Sequence, residues 1–120
     1  MSTHAVIGIK FPDGRVNGCY VHYDGSTISG RIEDYLDKYT TTCLSLLILR
    51  AQATGGIRSF HCPRWNDKIP SEPTPPSTEF LDDNEPYVID ESNWFDDHYG
   101  TTHYRYLIDY ETGNIQVHTR

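Results

Sequence analysis

The chain has 120 residues, 37% hydrophobic and 22% charged, with a net charge of −7 at pH 7. That length leaves room for one core, and no apolar run approaches the ~20 residues of a membrane-spanning helix. The acidic balance argues against a broad phosphate-neutralising face for nucleic acid. Three cysteines, an odd number without C-x-x-C, favour a reducing compartment over a disulfide framework.

In chain order, "HAVIGIKF" (4–11) alternates like a strand. "PDG" (12–14) is turn chemistry, and "RVNGCYVHY" (15–23) returns as a second strand, so 4–23 reads as a hairpin. Gly18 inside that strand marks a bulge or a close approach. The start "MSTHAVIGIKF" has no basic region leading into an apolar run, so no secretory leader is expected. After Asp24-Gly25, residues Ile32, Tyr35, Leu36 and Tyr39 fall on one helical face, with Ser26 or Ser29 as the expected cap and acids in the first turns. "TTT" (40–42) breaks this helix and can cap the next, "CLSLLILRAQA" (43–53), which ends at Gly55-Gly56.

"IRSF" (57–60) and "YVID" (87–90) suit short strands. Residues 63–86 hold six of the seven prolines and form a long extended loop. "THYRYLIDY" (102–110) and "IQVHT" (115–119) flank Gly113-Asn114 as a second hairpin. The expected fold is α+β over 1–120 as a single domain. A small antiparallel sheet is built from the N- and C-terminal hairpins, with two central helices packed on one face.

Charge is unevenly placed. Residues 69–104 carry nine Asp/Glu and no Lys/Arg, whereas 1–68 carry eight Lys/Arg against six Asp/Glu. An acidic segment can be a solvated loop or can meet a basic partner.

Several constellations could carry chemistry. The Asp24–Gly30 loop resembles a phosphate-cradling turn but has no Walker or G-x-G-x-x-G pattern, and Arg31 is the nearest cation. "IRSFHCPRW" (57–65) gathers Arg58, His61, Arg64 and Trp65, the guanidinium forks and aromatic plate that suit a nucleotide. His103 and Arg105 share a strand parity and could face the same cleft, with Tyr23 and Arg31 as further walls. Asp96, Asp97, His98 and His103 lack a firm metal-ligand spacing, so no metal site and no cofactor are assigned. Cys19 and Cys43 sit in apolar runs. Cys62, beside His61, is the cysteine with a setting that would lower its pKa, although nothing marks it as a nucleophile.

Residues 19–60 resemble a group of small proteins encoded by bacteriophages, prophages and plasmids. Their shared core is an aromatic-x-His-Trp-Asp-Gly turn, a glycine, and a helix carrying Leu-x-x-x-Tyr. Here the turn is Tyr20-Val21-His22-Tyr23-Asp24-Gly25, followed by Gly30, Tyr35-Leu36 and Tyr39, with Tyr23 where Trp is usual. The resemblance implies an accessory protein acting in the host bacterial cytoplasm, but it supplies no catalytic residues.

The expectation is a non-enzymatic homo-oligomer that antagonises bacterial immunity by binding a nucleotide signal through Arg58, His61, Arg64, Trp65, His103, Arg105, Tyr23 and Arg31. Two alternatives stay open. One is an acidic inhibitor docking on the basic nucleic-acid channel of a defence complex. The other is a small hydrolase using Asp96, His98, His103 or Cys62. No direct nucleic-acid or membrane binding is expected.

Overall fold

A computed structural model describes residues 4–23, 27–59, 79–81, 85–94 and 104–119. Its strands are β1 (Ala5–Lys10), β2 (Val16–Val21), β3 (Ile57–Ser59), β4 (Glu79–Phe80), β5 (Ile89–Asp90), β6 (Tyr104–Asp109) and β7 (Ile115–Thr119). The helices are α1 (Ile28–Lys38) and α2 (Thr41–Thr54), with a short 3-10 turn at Glu91–Asn93. The fold is α+β, with all described strands in one sheet of order β4-β3-β2-β1-β6-β7 and β5 alongside β2.

The two hairpins form where turn chemistry placed them. Gly14 (φ 91°) and Gly113 (φ 77°) take the left-handed position that closes each turn. The first hairpin closes through Phe11 N–H to the Arg15 carbonyl and Gly14 N–H to the Phe11 carbonyl.

The sheet is mixed, however, and not purely antiparallel. β1 pairs with β6 in parallel (Ala5↔Tyr104 to Lys10↔Asp109), and Val21 of β2 pairs in parallel with Ile57 of β3. The physical reason is the long path between the hairpins. A tight turn forces antiparallel pairing only on the strands it joins. The intervening helices and loops let β6 re-enter beside β1 in the same direction.

Both faces of β1 are covered, which explains why its residues from Ala5 to Ile9 are all buried. On one face Ala5, Ile7, Ile9, Cys19, Val21, Ile57, Tyr106 and Ile108 meet both helices. α1 contributes Ile28, Ile32 and Tyr35; α2 contributes Leu44, Leu47, Ile48 and Ala51. The helical face anticipated over 32–39 is therefore the buried one. The cap differs from expectation: α1 starts at Ile28 after Thr27, no acid lies in its first turn, and Ser29 and Gly30 lie inside the helix. Ser26 lies outside the described residues. Thr40 caps α2, its side chain accepting from the Cys43 N–H, and Gly55 ends it in the left-handed conformation.

The opposite face holds a second cluster of Val6, Val16, Tyr20, Leu81, Ile89 and Trp94. Gly8 and Gly18 face each other across β1 and β2. A Cβ built on Gly8 would run into the Trp94 ring, and one on Gly18 would lie 3.1 Å from it. The two glycines thus make a flat bed for Trp94, which is only 5% exposed. The close approach that Gly18 hinted at is this ring, with β1–β2 register unbroken beneath it.

The outer edge of β2 changes partner halfway, from Ile57 at Val21 to Ile89 at Gly18. Buried Gln52 of α2 sits at this change. Its Nε2 donates to the Gly18 carbonyl at 2.7 Å and the Ile89 carbonyl at 3.4 Å, and its own carbonyl accepts from Tyr87 N–H. It satisfies backbone groups that a continuous strand would otherwise pair. Most of the Pro-rich loop, residues 63–78 and 82–84, lies outside the described residues.

Two glycine substitutions should have opposite signs. Gly8→Ala must displace Trp94 and is expected to cost about 1–3 kcal/mol. Gly30→Ala, in α1 with nothing within 4 Å of the new Cβ, is expected to gain about 0.5–1 kcal/mol from helix propensity. Thermal or urea unfolding of the two variants checks both.

Candidate functional site: a histidine–tyrosine–arginine cluster at one end of the sheet

The register of the first hairpin has a chemical consequence. The bonded pair Phe11–Arg15 makes His4 and His22 directly opposite at the far end, in a non-hydrogen-bonded position. Side chains approach most closely at such positions. Their rings stack with centroids 4.9 Å apart. Tyr20, one pair further in on the same face, places its hydroxyl 2.9 Å from His22 Nδ1 and meets His4 edge-on at 5.5 Å. Tyr23 sets its ring edge-on to His22 at 4.5 Å and is 38% exposed.

Arg58 reaches this row from β3. The pairing continues past Val21: His22 N–H donates to the Ile57 carbonyl and Tyr23 N–H to the Arg58 carbonyl. Arg58 is exposed and close enough for its charge to act on His22. The His22 imidazole is held below its ordinary value of 6.5, first by desolvation, then by His4, then by Arg58. The cluster thus has one exposed aromatic ring, Tyr23, a buried Tyr20, two stacked imidazoles and a solvent-facing guanidinium. The cationic form of His22 is disfavoured while no anion is present. These groups can accept a phosphate or carboxylate on Arg58 and His22 and a flat ring against Tyr23.

Of the residues named from sequence, the structure brings Arg58 and Tyr23 together. Arg31 lies in the first turn of α1, its Nε donating to Thr27 Oγ1 at 3.2 Å, on the helix layer of the sheet. Arg105 lies on the second face but is 3% exposed, and its Nη1 donates to the Trp94 carbonyl. It fastens the Trp94 segment to β6 and presents no free surface to a ligand. His61, Arg64, Trp65 and His103, and the alternative residues Cys62, Asp96, Asp97 and His98, lie outside the described residues. Cys19 is fully buried, and burial pushes its thiol far up, so it is an inert core group. Among the described residues no three His, Cys, Asp or Glu side chains converge as metal ligands.

His4 and His22 were missed as site residues, although their positions were readable. A turn centred on Asp13 pairs residues whose numbers sum to 26, and 4 pairs with 22. Two surface grooves among the described residues lie elsewhere. One of about 390 Å³ is lined by Lys10, Phe11, Leu107 and Asp109 at the turn end of the sheet, and the other by Arg15, Asn17, Asp90 and Glu91. Neither combines aromatic rings with imidazoles, so we place the site at the cluster on chemistry.

His22 is expected to titrate below 6.5 in a ring-proton NMR titration, and Arg58→Ala or His4→Ala should raise its midpoint. The neutral ring is favoured in the fold. This contribution is therefore complete above the unfolded value and is lost as pH falls below it, so unfolding free energy should decline on acidification through pH 6.5, less steeply in His22→Gln. Set against models of known families, curated proteins and solved structures, the chain matches none.

Proposed function

We propose that this chain is a phage-type accessory protein that antagonises bacterial immunity without catalysis, by holding a nucleotide signal stoichiometrically. The observation that carries the reading is the row His4–His22–Arg58 with Tyr20 and Tyr23 at the end of the sheet. It offers a guanidinium and an imidazole for phosphate and an exposed aromatic edge for a base. The sequence resemblance over residues 19–60 supplies the genomic setting. The reading uses Arg58 and Tyr23, both named from the sequence, and adds His4, Tyr20 and His22.

A phosphate between Arg58 and His22 replaces the repulsion on the protonated ring with attraction. Binding should therefore tighten as pH falls through the His22 midpoint.

The test is thermal shift of the purified chain with linear and cyclic nucleotides, followed by heating and recovery of the ligand. At a hundredfold excess over Kd the expected stabilisation is about 2.7 kcal/mol, on the order of 10 °C for a chain of this size. The ligand should be released intact. Arg58→Ala should weaken binding roughly 10–100-fold, as expected for a charged hydrogen bond. A released ligand that is chemically altered would favour the hydrolase. Absence of a shift with every nucleotide would remove sequestration and favour docking of the acidic 72–97 segment on a basic protein surface, a contact that high salt should weaken.

A further inference from the structure

The two edges of the sheet are built differently. The β4 edge is two residues long and its pairing with β3 shifts register between Ile57 and Ser59, both devices that blunt an edge. The β7 edge has neither. Its sequence, Ile-Gln-Val-His-Thr, contains no proline, lysine, arginine or acid. It pairs in unbroken register with β6 from Ile108↔Ile115 to Tyr104↔Thr119. Among the described residues no strand lies on its outer side, and Gln116, Val117 and His118 are exposed, Val117 at 48%.

The backbone groups on that side can be assigned. Asp109 N–H donates to the Asn114 carbonyl, so 109–114 is a hydrogen-bonded pair of the hairpin. Bonded pairs alternate along an antiparallel ladder, which makes 107–116 and 105–118 the next ones. The N–H and C=O groups of Ile115, Val117 and Thr119 therefore point away from β6. These three positions are self-complementary. An antiparallel copy centred on Val117 sets Val117 against itself, Ile115 against Thr119 of the second copy, and Gln116 against His118 of the second copy. Every outward-facing backbone group of β7 then has a partner, no formal like charges oppose, and the exposed valines cover one another on the helix-layer side.

We infer that β7 is the contact through which two copies of this chain join, extending both sheets into one across a two-fold axis at Val117. The contact is isologous. It is independent of the ligand reading, because His4, His22 and Arg58 lie on strands β1 to β3 and their flanks.

The test measures the mass of the full chain by light scattering at high micromolar concentration. The wild-type chain should run as a dimer. Val117→Pro removes an N–H that β6 does not use, so the fold should survive, as circular dichroism can verify, while the mass halves. Val117→Cys should form a disulfide-linked dimer under mild oxidation that the wild-type chain does not form, since bonded antiparallel partners sit about 5.5 Å apart between Cα atoms. A wild-type chain that stays monomeric, or a folded Val117→Pro chain that keeps the dimer mass, overturns the proposal. Should Val117→Pro fail to fold, the absence of cross-linking in Val117→Cys overturns it.

Discussion

Two missing methyl groups shape one whole side of this molecule. Gly8 and Gly18 oppose each other on β1 and β2, and the Trp94 ring lies in the space their side chains would fill. Because the ring can seat there, Ile89 and Asp90 come close enough to pair with β2, and the Arg105 guanidinium reaches the Trp94 carbonyl from β6. A large aromatic group excludes water from both strands, and the buried guanidinium gains an acceptor it needs away from solvent. The second face of the sheet closes on this contact, so β1 is buried on both sides.

Closure of that face also frames the candidate site. Trp94, Ile89 and Leu81 cover the middle of the second face. The same face continues at the N-terminal end of β1 as His4, with Tyr20 of β2 and His22 just beyond it. Tyr20 belongs to both: it is buried in the second cluster, yet its hydroxyl holds His22. Packing and site are thus coupled through one side chain. The His22 ring is partly desolvated because the apolar cluster ends where it begins.

Local elements were largely legible in the residues. The Asp13-Gly14 and Gly113-Asn114 turns, the apolar face Ile32–Tyr39, the Thr40 cap and the Gly55 stop all express short-range chemistry, and each formed where that chemistry put it. The start of α1 did not follow. Gly30 looked like a loop glycine but serves inside the first turn, because Ile28 and Ile32 gain more by burial in the core than Gly30 costs in propensity. For the site, Arg58 and Tyr23 were legible as residue types. Arg105 was misplaced because strand parity tells which face a side chain takes but not what covers that face.

Sequence alone therefore determined the hairpins, the helices and, through the arithmetic of the first turn, that His4 opposes His22. Those features depend on residues a few positions apart, where turn geometry and side-chain period suffice. Tertiary structure decided that β6 lies parallel to β1, that Trp94 rests on two glycines, that Arg105 is buried and that Arg58 joins the histidines. These contacts join residues tens of positions apart. No local preference selects such partners. They are chosen by which apolar surfaces can be covered together and which backbone groups then remain to be bonded.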